Sequence, residues 1–360
     1  MRTQSFRNRV VVVTGGSAGV GRAVVRAFAR EGAKLGIVAR DQERVDATVA
    51  EVREQGGEAI GISADVANAR ALEEAAETIE ERLGPIDVWV NNAMTSVFAE
   101  LADVEPDEYR RVTDVVYHGT VFGTMCALRR MLPRNRGSIV FVGSALAYRG
   151  IPLQSAYCGA KHAVLGMFES LRAELLHQDS GVTATMVQLP AINTPQFTWV
   201  RNKMGRLAQP VPPIFTPELA ADAIVWATRR RKREVRVGGS AVKAIVGNKI
   251  SPRIGDWWLA RSGYDDQMRD EAERPEGAVP SDGQDNLWHP VPGAFAARGD
   301  FDDRSRRRSW QWWALKHRTA LVGAGVLALG LLGWSGGWGR ITRRLRRLPR
   351  RRHRLMLAAA

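Results

Sequence analysis

Cysteine is nearly absent: the 360 residues include only Cys126 and Cys158. This excludes a disulfide framework and makes a reducing compartment the default; neither cysteine has the CxxC or Cys/His spacing of a metal site. No internal repeat is visible. A secretory leader is not expected, because residues 1–10 carry three arginines but the apolar run Val10–Val13 is too short for a signal core. An excess of one charge is also missing from most of the chain. Residues 1–303 hold 37 Lys plus Arg against 38 Asp plus Glu, whereas residues 304–360 hold 15 basic residues and no acid. The net charge of +14 therefore sits in one tail, which calls for a polyanionic neighbour. At 45% hydrophobic and 25% charged residues, the chain is neither disordered nor collagen-like and can bury a large core.

What is present alternates. Strands are predicted over 9–14, 34–39, 59–64, 86–90, 138–142 and 182–189, with helices over 18–31, 41–55, 68–82, 106–132 and 155–177. Such alternation gives right-handed βαβ units, hence an α/β fold with a Rossmann-type, doubly wound parallel sheet. The runs VVVV, IDVWV and SIVFV suit strands covered on both faces.

Two patterns carry chemistry. The first strand runs into Thr14-Gly-Gly-Ser-Ala-Gly-Val-Gly21 and then a helix. Glycines there allow a tight turn and let amide N–H groups approach a phosphate at the helix N-terminus; a plain Gly-rich turn is the simpler alternative. The second strand ends in Ala39-Arg40, where an acid would hold a ribose 2′-hydroxyl. Arg40 favours a 2′-phosphate, hence NADP(H), with NAD(H) still possible; the bland alternative is an arginine capping a strand in solvent. Further on, Tyr157 and Lys161 lie four apart on a predicted helix, so both face one side. An ammonium beside a phenol draws its pKa toward neutrality and makes it a usable acid/base. Ser144, at a strand end, can hydrogen-bond a carbonyl oxygen as charge develops there.

With these motifs in this order, the chain resembles the short-chain dehydrogenase/reductase family from about Arg9 to Gly238. The matching residues are TGGSAGVG at 14–21, Asp65-Val66, Asn91-Asn92-Ala93, Ser144, Tyr157-Cys-Gly-Ala-Lys161 and Pro190-Ala-Ile-Asn-Thr194. The resemblance implies a sheet of about seven strands and a nicotinamide dinucleotide. It implies Tyr157 as general acid/base, Lys161 as phenol activator and ribose ligand, and Ser144 as carbonyl-orienting residue. Gly15, Ser17, Gly19, Gly21 and Arg40 would hold phosphates, Asp65 and Val66 the adenine, with Asn91 beside the cofactor and Pro190, Ile192 and Thr194 at the nicotinamide. The substrate would be a small carbonyl or alcohol compound. Two positions depart from the family pattern: Met94 replaces a glycine, and Val116 replaces an asparagine that holds a water next to the lysine. Thr113, Tyr117 and His118 are the candidate substitutes.

Residues 319–339 are 21 residues without a charge, long enough as a helix of about 31 Å to cross a bilayer. Trp310, Trp312 and Trp313 precede them, and Trp334 and Trp338 close them, as in interfacial belts. The expected organisation is a Rossmann domain over 1–239, an extension and linker over 240–303, with 265–303 loosely ordered, and a basic membrane tail over 304–360. The expected protein is a membrane-attached oxidoreductase with its catalytic domain in the cytoplasm, acting on a lipid-like substrate. A cofactor-binding scaffold with weak or no catalysis is the alternative. A homo-oligomer is expected. Nucleic acid is not an expected partner, because anionic lipid accounts for the basic tail.

Overall fold

The computed structural model describes residues 6–269, 284–329 and 331. The chain divides into two units, Met1–Trp310 and Gln311–Ala360.

The first unit is wound around seven parallel strands in the order β3-β2-β1-β4-β6-β7-β9. They are β1 (Val10–Thr14), β2 (Lys34–Ala39), β3 (Glu58–Ser63), β4 (Ile86–Asn91), β6 (Gly137–Ser144), β7 (Val182–Leu189) and β9 (Glu234–Arg236). A two-residue pair, β5 (Val97–Phe98) with β8 (Arg201–Asn202), stands apart. The β-branched runs explain the central strands: every residue of β1 and β4 is buried, which only apolar side chains tolerate without partners. Trp89 is the largest fully buried side chain among the described residues, and its indole N–H is satisfied by Asn91 Oδ1 at 2.9 Å.

The connecting helices are α1 (Gly19–Arg30), α2 (Gln42–Glu54), α3 (Ala69–Leu83), α4 (Pro106–Thr113), α5 (Gly119–Met131), α6 (Ser155–His177), the short α7 (Gln196–Trp199) and α8 (Pro217–Arg230). Their starts follow local chemistry. Asp41 caps α2 through the amide of Arg44, and Asn68 caps α3 through those of Arg70 and Ala71, leaving fewer orphan donors. One face of the sheet is covered by α3, α5 and α6 around Phe141, Phe168, Ile79 and Met131; α1, α2 and α8 pack together on the other. The predicted helix 106–132 is present with an interruption: Asp114–His118 form a π-helical turn between α4 and α5.

Beyond β9 come α9 (Gly239–Ile250) and α10 (Pro252–Ser262). Residues 284–303, expected as part of a loose linker, instead form with residues 304–309 a strap packed onto the sheet unit. Leu287, Ala297 and Phe301 in it are at most 2% exposed, and Arg306 bonds the backbone of Ile214 and Thr216. The expectation failed because Pro, Gly and acidic residues signal irregular backbone, and this strap is irregular but held through its carbonyls.

α11 (Trp310–Lys316) starts on the last residue of the first unit, and residues 318–329 of the second are helical. Among the described residues no helix is long and apolar enough to cross a membrane, so the structure does not support the transmembrane helix expected over 319–339. Residues 330 and 332–339 of that span, with Trp334, Trp338 and the terminal arginine run, lie outside the described residues.

Candidate active site

All seven parallel strands deliver their C-terminal ends to one edge of the sheet, and the strand order reverses between β1 and β4. A crevice must open where neighbouring crossovers diverge to opposite faces. A cavity of about 830 Å³ lies there, lined from Gly15 and Arg40 at one end to Trp258 and Leu259 at the other.

Two loops meet at its floor. Thr14 Oγ1 accepts the amides of Asn92 and Ala93 at 3.0 and 3.2 Å, and Asn92 Nδ2 donates to the carbonyls of Thr14 and Gly15 at 2.9 and 3.2 Å. The approach leaves no room for a side chain. A Cβ on Gly15 (φ +64°) would lie 2.8 Å from Ala93 Cα, and one on Gly21 only 2.0 Å from the Gly15 carbonyl oxygen. Both obstacles are backbone, so glycine is required. Ala18, the residue before α1, has no side-chain oxygen to cap the helix. Ser17, Gly19 and Val20 line the cavity at this positive helix end, where the Gly19 amide donates to the Ala296 carbonyl at 3.1 Å; the dipole of the helix suits a pyrophosphate beside it.

At the adjoining end, Arg40, Asp65 and Val66 line the wall. Asp65 accepts the amide of Ala67 at 2.9 Å and pairs with Arg111. Arg40 donates to three strap carbonyls, those of Asn286, Leu287 and Trp288. Its pKa is lowered, by burial first and then by the charges of Arg111 and Arg44 beside it. Asn91 is turned into the core, where its amide bonds Trp89 and Thr124; Asn92 and Ala93 line the cavity at the end of β4. At the far side Pro190, Ile192 and Thr194 form the wall after β7.

Ser144, Tyr157 and Lys161 converge near the middle. Ser144 ends β6, accepts the amide of Leu146 at 3.1 Å and hydrogen-bonds the Tyr157 phenol. Lys161 Nζ donates to the Val142 carbonyl at 2.7 Å and lies 5.6 Å from the Tyr157 ring centre. Burial pulls the Lys161 pKa down to about 8. Burial also pushes the Tyr157 phenol up, against the opposing pull of Ser144. Burial thus dominates the phenol, and the activation by ammonium expected from the sequence is not among the influences on it.

A profile of the short chain dehydrogenase family matches residues 9–205. An oxidoreductase of uncharacterised function from Bacillus subtilis (YxnA) is 31% identical over 93% of this chain and 92% of its own length. The chain belongs to the short-chain dehydrogenase/reductase family. A 2-(S)-hydroxypropyl-CoM dehydrogenase of Xanthobacter autotrophicus is 32% identical over 61% of this chain and 89% of its own. A 3beta-hydroxysteroid dehydrogenase of Mediterraneibacter gnavus is 32% identical over 53% and 68%. The chain is accordingly an oxidoreductase of the class that binds NAD(P) and interconverts CH–OH and C=O groups, and the glycine cradle fits such a dinucleotide.

The two departures from the family pattern are apolar in the structure. Val116 is fully buried with Val97, Val112, Ala156, Ala160 and Leu287, and Met94 packs against the same cluster. The candidate substitutes are engaged elsewhere. Thr113 bonds the Tyr109 carbonyl, His118 pairs with Asp114, and Tyr117 packs on the core. No sequence signal marks the strap, whose Asn286 and Pro290 line the cavity, nor Arg149 and Gln154 at its other end, whereas residues 240–263, readable from the sequence as a cover for the substrate cleft, do line it through α9 and α10.

Proposed function

We propose that the chain is an NADP(H)-dependent oxidoreductase for an apolar ketone or secondary alcohol. The observation that carries this is the convergence of Ser144, Tyr157 and Lys161 on the cavity that the glycine loop also lines. When bound, the dinucleotide supplies or accepts the hydride. Ser144 holds the carbonyl oxygen, and the Tyr157 phenol gives that oxygen its proton or takes it back. Lys161 supports the phenol and the nicotinamide ribose. Around the reacting position the wall is apolar, including Met94, Phe98, Ile151, Phe197 and Trp258, which suits a lipid-like substrate.

The NADP(H) preference rests on charge. Arg44 pairs with Asp41 and Arg111 with Asp65, while Arg40 between them meets neutral carbonyls. A 2′-phosphate would relieve the mutual repulsion of the three guanidiniums, and a hydroxyl would not. Attachment to a membrane through the tail is part of the same reading. It is supported by the uncharged run 319–339 and by the exposed Val322, Val326, Leu327 and Leu329 on the helical residues 318–329. Scaffolding with little catalysis is the second reading, favoured by Val116, a buried apolar side chain where the family pattern has an asparagine that holds a relay water.

Titration with NADPH and NADH, followed by a ketone panel read at the nicotinamide absorbance, tests these readings. Turnover with NADPH is expected, with Tyr157→Phe at least 100-fold slower and dinucleotide affinity nearly unchanged. A Tyr157→Phe variant that keeps its rate removes the proton role. Binding without turnover across the panel selects the scaffold. Equal kcat/KM for the two cofactors removes the NADP(H) preference.

A further inference from the structure

The strap lies over the dinucleotide half of the cavity and is fastened there in an unusual way. Four guanidiniums around the cofactor cleft, from α1, α2, α4 and the turn after β2, donate to its main-chain carbonyls. Arg40 takes those of Asn286, Leu287 and Trp288, and Arg111 also takes that of Leu287 at 3.0 Å. Arg44 takes those of Val291 and Gly293 at 2.5 and 3.3 Å, and Arg22 that of Phe295 at 3.1 Å. The amide of Gly19, in the first turn of α1, donates to the Ala296 carbonyl at 3.1 Å. At the nicotinamide end Gly299 lies flat on Thr194, where a Cβ would come 2.4 Å from the Thr194 carbonyl oxygen. The contacts therefore run from the 2′-ribose end, past the pyrophosphate seat, to the nicotinamide wall. The cavity persists beneath, with Val20 of α1 in its wall and Asn286 and Pro290 of the strap above.

We propose that residues 286–301 are the roof of the dinucleotide site. The cofactor is enclosed between strap and sheet, and it exchanges only when the strap lifts. The substrate half is bounded by other elements, α9 and α10, whose Ile250, Ile254 and Trp258 are both exposed and in the cavity wall. Substrate can thus come and go through a mouth the strap does not cover. The same strap carbonyls set a condition on Arg40. A 2′-phosphate must draw a guanidinium already shared with Asn286–Trp288, so charge recognition and closure involve one side chain. Phe295 adds an aromatic fastening, edge-on to Trp199 at 4.5 Å with the Arg44 guanidinium 5.6 Å from its ring centre.

This inference rests on the proposed dinucleotide binding, and the experiment separates the two. NADPH bound to the full chain is displaced by excess NADP+ and its release followed by nicotinamide fluorescence in a stopped-flow instrument. Phe295→Ala loosens the strap, and Gly299→Ala forces it off Thr194. Both are expected to release NADPH at least tenfold faster than the wild type, with melting curves confirming that they fold. A second readout needs no variant: tryptic cleavage after Arg298 in the wild type should slow as NADPH saturates the site. Release rates within twofold of wild type in folded variants, or cleavage indifferent to NADPH, overturn the roof while leaving the dinucleotide reading intact. A wild-type chain that binds neither NADPH nor NADH overturns both.

Discussion

At the scale of single residues, Lys161 shows function set against stability. The residue is 5% exposed and its ammonium is compensated by one carbonyl, so burial lowers its pKa from 10.5 to about 8. An unfolded chain keeps that proton up to about 10.5. Between pH 8 and 10.5 the unfolded state therefore binds more protons than the folded one, and stability attributable to this group rises with pH across that window. Below pH 8 the cost is fully present, up to about 3 kcal/mol for a shift of this size. Lys161→Met is expected to melt higher than the wild type at pH 7 and to lose that advantage by pH 10.5, while turnover disappears. A constant difference in melting temperature from pH 7 to 10.5 would place the charge cost elsewhere. Arg40 shows how far a residue can be understood from sequence. Its position at the end of β2 and its cationic character were legible; its carbonyl partners lie some 250 positions away, beyond any local pattern.

Among the elements, the π-helical turn at Asp114–His118 stands beside the catalytic helix. It places Val116 in an apolar cluster against which Tyr157 packs. Val116→Asn puts an amide there. It is expected to cost about 1–3 kcal/mol of stability if the amide stays unsatisfied. If a missing relay limits the reaction, kcat rises with little change in KM. An asparagine variant with lower stability and unchanged kcat would mean that proton supply to Lys161 is not limiting. The elements also divide by legibility. β2 and β7 follow from their β-branched runs to the residue, and α6 from its unbroken helical spacing. β9 has three residues and β5 and β8 two each; periodicity needs more than that to register. Gly15 and Gly21 could be identified because steric demand leaves one residue type possible. Asn91 and Asn92 could not be told apart, because adjacent strand residues face opposite ways and both are amides.

For the molecule as a whole, charge and hydrophobicity are segregated along the chain. The sheet unit is close to neutral, and the excess positive charge follows residue 303. Membrane attachment through this region predicts that full-length protein resists a carbonate wash of membranes, which strips electrostatically bound proteins. Complete release by carbonate would leave charge alone as the basis of any membrane association. Fold class was legible at this scale because strand–helix alternation constrains topology strongly. The placement of residues 284–309 was not, because docking through main-chain carbonyls leaves no trace in side-chain pattern and the buried Leu287, Ala297 and Phe301 recur at no regular period.

The bridge at the strap's far margin has a mechanical consequence. Arg306 runs alongside Phe215, its amide on the Ile214 carbonyl and its carbonyl on the Thr216 amide. Gln311, five residues later, opens the second unit. Any tension drawn through that unit reaches the Ile214–Thr216 fastening before it reaches Phe301 or Gly299. The bridge acts as strain relief, like a cable clamp. Pulling on the chain beyond Trp310 is expected to load that fastening before the strap, and, once it yields, to peel the strap from its Phe301 end first.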